Sequence, residues 1–144
     1  MSKATPVPVK PQPLSPEDER LWAMLAHLSV LLNLLSGVLG PIAAIVIYAV
    51  YKPRSRYVAF HALQSFWMQL VLWVGFGLLA GVMWFLGGLL SAVLIGLLCF
   101  PLACVFSVAP LVAIVYGIVG AIQAYQGQDF RYFLFADWAE KMLG

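Results

Sequence analysis

Charge is what this sequence has least of. Asp, Glu, Lys and Arg make up 10% of its 144 residues where ~25% is ordinary, and hydrophobic residues make up 63% against the usual ~45–50%. Such a composition argues against a water-soluble domain. Eight Lys and Arg against six Asp and Glu leave a net charge of +2, so the basic field that nucleic acid requires is missing. Only two cysteines occur, Cys99 and Cys104, both within apolar sequence. They are too few for a disulfide scaffold, and with two distant histidines they do not match structural-zinc spacing. Catalytic signatures are missing as well: there is no Gly-Lys-Ser/Thr phosphate loop, no His-Glu-x-x-His, no Gly-x-Ser-x-Gly and no pair of acids in an apolar stretch. The sequence therefore predicts no enzyme.

What is present is apolar length. Leu21–Tyr51 (31 residues) and Tyr57–Gln128 (72 residues) contain no Asp, Glu, Lys or Arg. An ionised side chain at bilayer depth costs a few kcal/mol even on the milder scales, and one crossing takes ~20 apolar residues. The second stretch is long enough for more than one crossing. The expectation is an all-α, polytopic membrane protein of four hydrophobic segments.

Five of the nine prolines fall within residues 1–16, which predicts an extended, solvated tail. The first apolar run begins only at Leu21, so no cleavable signal is expected. Ser15, Pro16 and Asp18 have the spacing of a helix start. Leu21–Ser36 then gives ~24 Å of helix and Ile42–Tyr51 ~15 Å, both short of the ~30 Å hydrocarbon core. Gly37, Gly40 and Pro41 break between them. A hairpin is the favoured reading and one long kinked span the alternative. A third helix is expected from about Val58 to Phe85 with a turn at Gly87-Gly88. Leu89–Gln126 would follow as one tilted, kinked helix or as two crossings. Residues 17–128 thus form the transmembrane domain. Residues 129–144, with Phe130, Phe133, Leu134 and Trp138 against Arg131, Asp137, Glu140 and Lys141, should form an interfacial amphipathic helix.

The basic turn Lys52, Arg54 and Arg56 sets orientation, because short basic loops stay in the cytoplasm. Both termini would then be cytoplasmic and the host membrane the inner one. Trp22, Tyr48, Tyr51, Tyr57 and Tyr125 would sit near that interface.

His27 and His61 are the strongly polar titratable groups of the apolar stretches. They share a layer if the first pair is a hairpin, and there they could bond each other or Gln64. Structural hydrogen bonding is one role; axial ligation of haem or a chlorophyll-type pigment is the sharper one. His61, Gln64, Ser65, Met68 and Gln69 recur every three or four residues, and with Asn33 on the first helix they predict a polar intramembrane strip. Gly77-x-x-x-Gly81, and Ala109, Ala113, Gly117 and Ala121, are small-residue stripes that allow close helix approach.

Arg20-Leu-Trp-Ala-Met-Leu-Ala-His-Leu-Ser29, the Pro41-led segment, the loop Lys52–Arg56, Tyr57-Val-Ala-Phe-His61-Ala-Leu-Gln-Ser-Phe66 and the closing Gly127–Tyr132 together resemble a bacterial membrane family of unknown function. That family is distantly similar to the chloroplast inner-envelope import component of the Tic complex. The resemblance implies the four-helix architecture. It also implies, as an alternative function, a route for polypeptide or solute. The function expected from the residues is that of a non-enzymatic accessory or scaffold subunit, surrounded by lipid and packed against other membrane subunits or further copies of itself.

Overall fold

In the computed structural model, residues 11–144 are described. Most of the tail expected over 1–16 therefore lies outside the described residues. Helix α1 (Pro16–Leu28) begins where Ser15 caps it: its Oγ accepts from the Asp18 amide at 3.1 Å and donates to the Asp18 carboxylate at 2.8 Å. A 3₁₀ turn, Ser29–Leu32, and one further turn, α2 (Asn33–Ser36), complete the first arm. The chain reverses at Gly37, whose φ of +75° suits a residue without Cβ. The second arm is α3 (Leu39–Tyr51). Gly37 makes the expected break between the two arms, whereas Gly40 and Pro41, read from the sequence as part of that break, lie in the first turn of α3 and open it. Pro41 lies in the first turn, where no backbone partner waits for its missing N–H.

Asn33 pins the reversal. Its Oδ1 accepts from the Gly40 amide at 2.9 Å while its Nδ2 donates to Gln69 Oε1 at 3.1 Å. The hairpin, rather than the single kinked span, is what forms.

After the basic turn, Ser55 caps α4 (Arg56–Gln69) by accepting from the Val58 amide at 3.1 Å, and donates to Glu19 at 2.6 Å. A π-helical stretch, Leu70–Gly75, joins α4 to α5 (Phe76–Leu90), so Arg56–Val93 is one rod of 38 residues. The turn comes later than Gly87-Gly88, at Leu94, which adopts φ 59°. Gly87 instead lies inside the helix under the Phe100 ring, which a Cβ would meet at 2.8 Å. After a short 3₁₀ turn, α6 (Cys99–Tyr125) runs unbroken through Pro110, so the expected segment Leu89–Gln126 is divided at Leu94: Leu89 and Leu90 close α5, and one helix, not two, follows the turn. The rods Arg56–Val93 and Ile95–Tyr125 are long and apolar enough to cross a membrane.

The amphipathic helix expected over 129–144 is confined to α7 (Phe135–Leu143). It lies against α4, with Ala136 and Ala139 packed on Phe60 and Leu63. The preceding residues are not helical, and Tyr132 is inserted into the bundle with 1% of its surface exposed. Among the described residues there is no strand.

Polarity is inverted relative to a water-soluble bundle. His27, His61, Gln64, Ser65 and Gln69 are buried, whereas Leu35, Leu78, Phe85, Leu94 and Leu98 stand at 66% exposure or more.

Candidate functional site

The buried polar side chains form a ladder between α1, α4 and the inserted segment before α7. At its upper end, Gln64 grips extended backbone. Its Oε1 accepts from the Tyr132 amide at 3.1 Å and its Nε2 donates to the Phe130 carbonyl at 2.8 Å, which fixes which way the amide points. The Tyr132 hydroxyl then lies 2.8 Å from His27 Nδ1 and 3.2 Å from the Tyr116 carbonyl, and His27 Nε2 lies 2.9 Å from His61 Nδ1. Further along, Ser65 and Ser29 both donate to the Ala26 carbonyl at 2.8 Å, and Gln69 Nε2 donates to Ser29 and Ser65 at 2.9 and 3.0 Å. Asn33 closes the ladder at the hairpin turn.

Two proton arrangements satisfy the Tyr132–His27–His61 chain. In one, Tyr132 donates to His27 Nδ1, and His27 Nε2–H donates to His61 Nδ1, where Gln64 Nε2 lies 3.1 Å away. In the other, Tyr132 donates to Tyr116, His27 Nδ1–H donates to Tyr132, and His61 Nδ1–H donates to His27 Nε2, which sets that N–H against the Gln64 amide N–H and so favours the first. Both leave His61 Nε2 buried and without a partner. Burial pushes the Tyr132 hydroxyl well above its ordinary range, so it remains a neutral donor.

Small residues make room for this layer. A Cβ on Gly120 would stand 2.9 Å from both His27 Nδ1 and Tyr132 Oη, and one on Gly117 would run into Val30 and come within 3.1 Å of the His27 carbonyl. Ala113, Gly117 and Ala121 are buried on the inner face of α6 and Ala109 is half-buried. Gly77 and Gly81 differ: a Cβ at either would have no neighbour within 4 Å, so their stripe is not used inside the chain.

The basic turn lies at the same end as the other chain ends. Arg54 donates to the Gln12 carbonyl at 3.0 Å, Arg56 to that of Gly144 at 3.1 Å, and Tyr57 to that of Gln128 at 3.2 Å. Arg131 reaches Glu140 at 2.7 Å and Asp137 at 3.5 Å. Its hydrogen bond holds Glu140 below the usual carboxylate range. A depressed carboxylate keeps its ion pair above that range and loses it as acid protonates it, so α7 should loosen only well below neutral pH. Carboxyl NMR titration checks this: Glu140 should titrate below a free glutamate, and Arg131→Gln should return it to the ordinary value.

A family model matches residues 18–139. The chain belongs to the magnetosome magnetite crystal formation protein family. The matched segment holds every residue of the ladder, from His27 to Tyr132. No curated protein and no solved structure matches the chain. A bacterial family was the right kind of resemblance, but its subject is magnetite formation, and the likeness to the chloroplast import component finds no support.

The geometry of this family member also weighs on the other two roles drawn from sequence. A translocation route lined by Asn33, His61, Gln64 and Gln69 needs polar groups turned toward water, whereas here they bond one another. Both ring nitrogens of His27 are engaged, and His61 retains only the buried Nε2. Tyr132 was missed by sequence reasoning, because the amphipathic pattern of residues 129–144 assigned it to a surface helix. The available signal was a tyrosine inside the closing element Gly127–Tyr132 followed at helical spacing by Phe135, Ala136 and Ala139, all apolar.

Proposed function

We propose that this chain is a multi-pass membrane protein without enzymatic activity, which serves magnetite crystal formation as an accessory or scaffold subunit. The observation that carries this reading is the inverted polarity: hydrogen-bonding side chains are gathered inside, where among the described residues all but His61 Nε2 find partners, and the surface of both long rods is apolar. Water would oppose such a surface over two helices of this length, and lipid accepts it.

In this reading the two long rods cross, α1–α3 enters and returns, and four apolar segments lie in lipid. The charged end, with Arg20, Lys52, Arg54, Arg56, Arg131 and Lys141, faces the cytoplasm of an inner-membrane protein. Its neighbours are lipids and other membrane subunits or further copies of itself, reached through the open Gly77–Gly81 stripe, where small residues let another backbone approach. The ladder serves as internal glue.

Deleting the gene in a magnetite-forming bacterium should change crystal size or shape, and electron microscopy of the crystals measures it. Chemical crosslinking in the intact membrane should capture the chain with a neighbour. Unchanged crystals, together with a chain that runs as a lone monomer in mild detergent and crosslinks to nothing, would overturn the proposal.

A further inference from the structure

Gln64 fixes more than the segment before α7: it fixes where Arg131 emerges. The two backbone groups that Gln64 grips, the Phe130 carbonyl and the Tyr132 amide, flank Arg131 on either side. The Arg131 guanidinium stands 5.4 Å over the Phe60 ring and pairs with Glu140 at 2.7 Å. Two cavities carry Arg131 in their walls. One, of about 290 Å³, is a cleft at the charged end, with Arg56, Tyr57, Phe60, Asp129 and Glu140 around it. The other, of about 350 Å³, is an apolar groove lined by Val115, Tyr116 and Val119 from α6 and by Phe130 and Phe133 from the inserted segment.

The groove lies at the depth of acyl chains. Val119 and Val115 precede Tyr125, the last residue of α6, by ~9 and ~15 Å of helix, and Val115 and Phe133 are 60% and 81% exposed. The cleft that shares Arg131 with it carries both signs of charge, Arg56 and Arg131 against Asp129 and Glu140, which sum to zero. Arg131 and Glu140 satisfy each other. Among the described residues Arg56 has no acidic partner, only the Gly144 carbonyl, and Asp129 has no basic one. A simple anion in this cleft would meet two carboxylates and a simple cation two guanidiniums, whereas a zwitterion is matched at both ends. The rings that could receive a quaternary ammonium are engaged, Phe60 with Arg131 and Tyr57 with His61. A primary ammonium needs no ring, since it donates hydrogen bonds to carboxylates.

We infer that the paired cavities form a phospholipid site selective for a zwitterionic, amine-bearing headgroup. An acyl chain lies in the groove along α6, the phosphate takes Arg56 and Arg131, and the ammonium takes Asp129. Because Gln64 holds the backbone on both sides of Arg131, the site is formed before the lipid arrives, and little ordering opposes binding. This inference rests on the membrane reading above and adds a headgroup preference that general contact with lipid does not contain.

The test uses the full chain, reconstituted into vesicles of phosphatidylethanolamine, phosphatidylcholine and phosphatidylglycerol in equal parts. Resistance to carbonate extraction first establishes that it is integral; its release would sink the membrane reading, and the lipid site with it. The chain is then taken into mild detergent, and native mass spectrometry identifies the lipid it keeps. Phosphatidylethanolamine should be retained severalfold over either competitor. Asp129→Asn leaves the cleft with surplus positive charge, so its preference should turn to phosphatidylglycerol. Val119→Trp fills the groove and should cut retention of all three lipids severalfold. Neither residue belongs to the ladder, and circular dichroism should find the parental helix content in both variants. Equal retention of the three lipids by an integral parent chain would overturn the site alone. Phosphatidylcholine kept as well as phosphatidylethanolamine would overturn the role of the amine, and an Asp129→Asn preference identical to the parent's would overturn the ammonium contact.

Discussion

Gln64→Leu lowers the stability of the bundle by about 2–4 kcal/mol, because it strands several buried groups at once. The Tyr132 amide loses its acceptor, the Phe130 carbonyl loses its donor, and the leucine offers nothing to His61 Nδ1. An interhelical hydrogen bond within a membrane averages only about 0.6 kcal/mol in double-mutant cycles, since both partners find substitutes when the helices separate. Here the partners are backbone groups of an inserted loop, and they remain buried while the bundle holds together. Unfolding in a graded series of mild and denaturing detergent measures the loss. Limited proteolysis locates it, since residues 128–134 should be cut in the variant and spared in the parent. Ser65→Ala is the comparison: it removes one donor to Ala26, whose carbonyl still has Ser29, and one acceptor of Gln69 Nε2, which also keeps Ser29, so it should cost less than Gln64→Leu, about 1–2 kcal/mol. Equal costs for the two variants would mean that the Gln64 clamp holds nothing.

Gly117→Leu and Gly81→Leu separate the two small-residue stripes. At position 117 a Cβ alone already meets Val30 and the His27 carbonyl, so a leucine forces α1 away from α6 and pulls His27 from Tyr132. Overpacking costs roughly 1–3 kcal/mol where the surroundings yield, and more where both sides are backbone. The expected outcome is a chain that fails to accumulate, or one that migrates as an expanded species in detergent. At position 81 the same side chain meets nothing within the chain. Folding and detergent stability should be unchanged, and crosslinking to neighbours should fall if the proposed lateral contact uses this face. Should Gly81→Leu fold normally and crosslink as the parent does, the contact lies elsewhere.

Some of this was legible before any fold was known. The charge-free stretches fixed where helices had to be, because burying an ion in lipid costs more than local propensity can return. Ser15 and Ser55 are each followed three residues on by the amide they cap, a local rule that needs no tertiary partner. The shared layer of His27 and His61 followed from helix rise once a hairpin was assumed. Boundaries fared worse. Gly40, Pro41, Gly87 and Gly88 look like breakers, yet all four lie inside helices. Proline is harmless in a first turn, and glycine in an apolar helix serves close packing as readily as it serves a turn.

The sequence by itself determined that the chain is helical, that its long segments are apolar and that its charges gather at the ends of those segments, since each of these follows from composition and spacing along one chain. Only the tertiary structure decided that Tyr132 leaves the surface to meet His27, that Gln64 clamps the backbone of a segment 66 residues away, and that the Gly77–Gly81 stripe faces outward while the Gly117 stripe faces in. Helical spacing says which residues share a face, but which neighbour that face meets depends on where the chain returns.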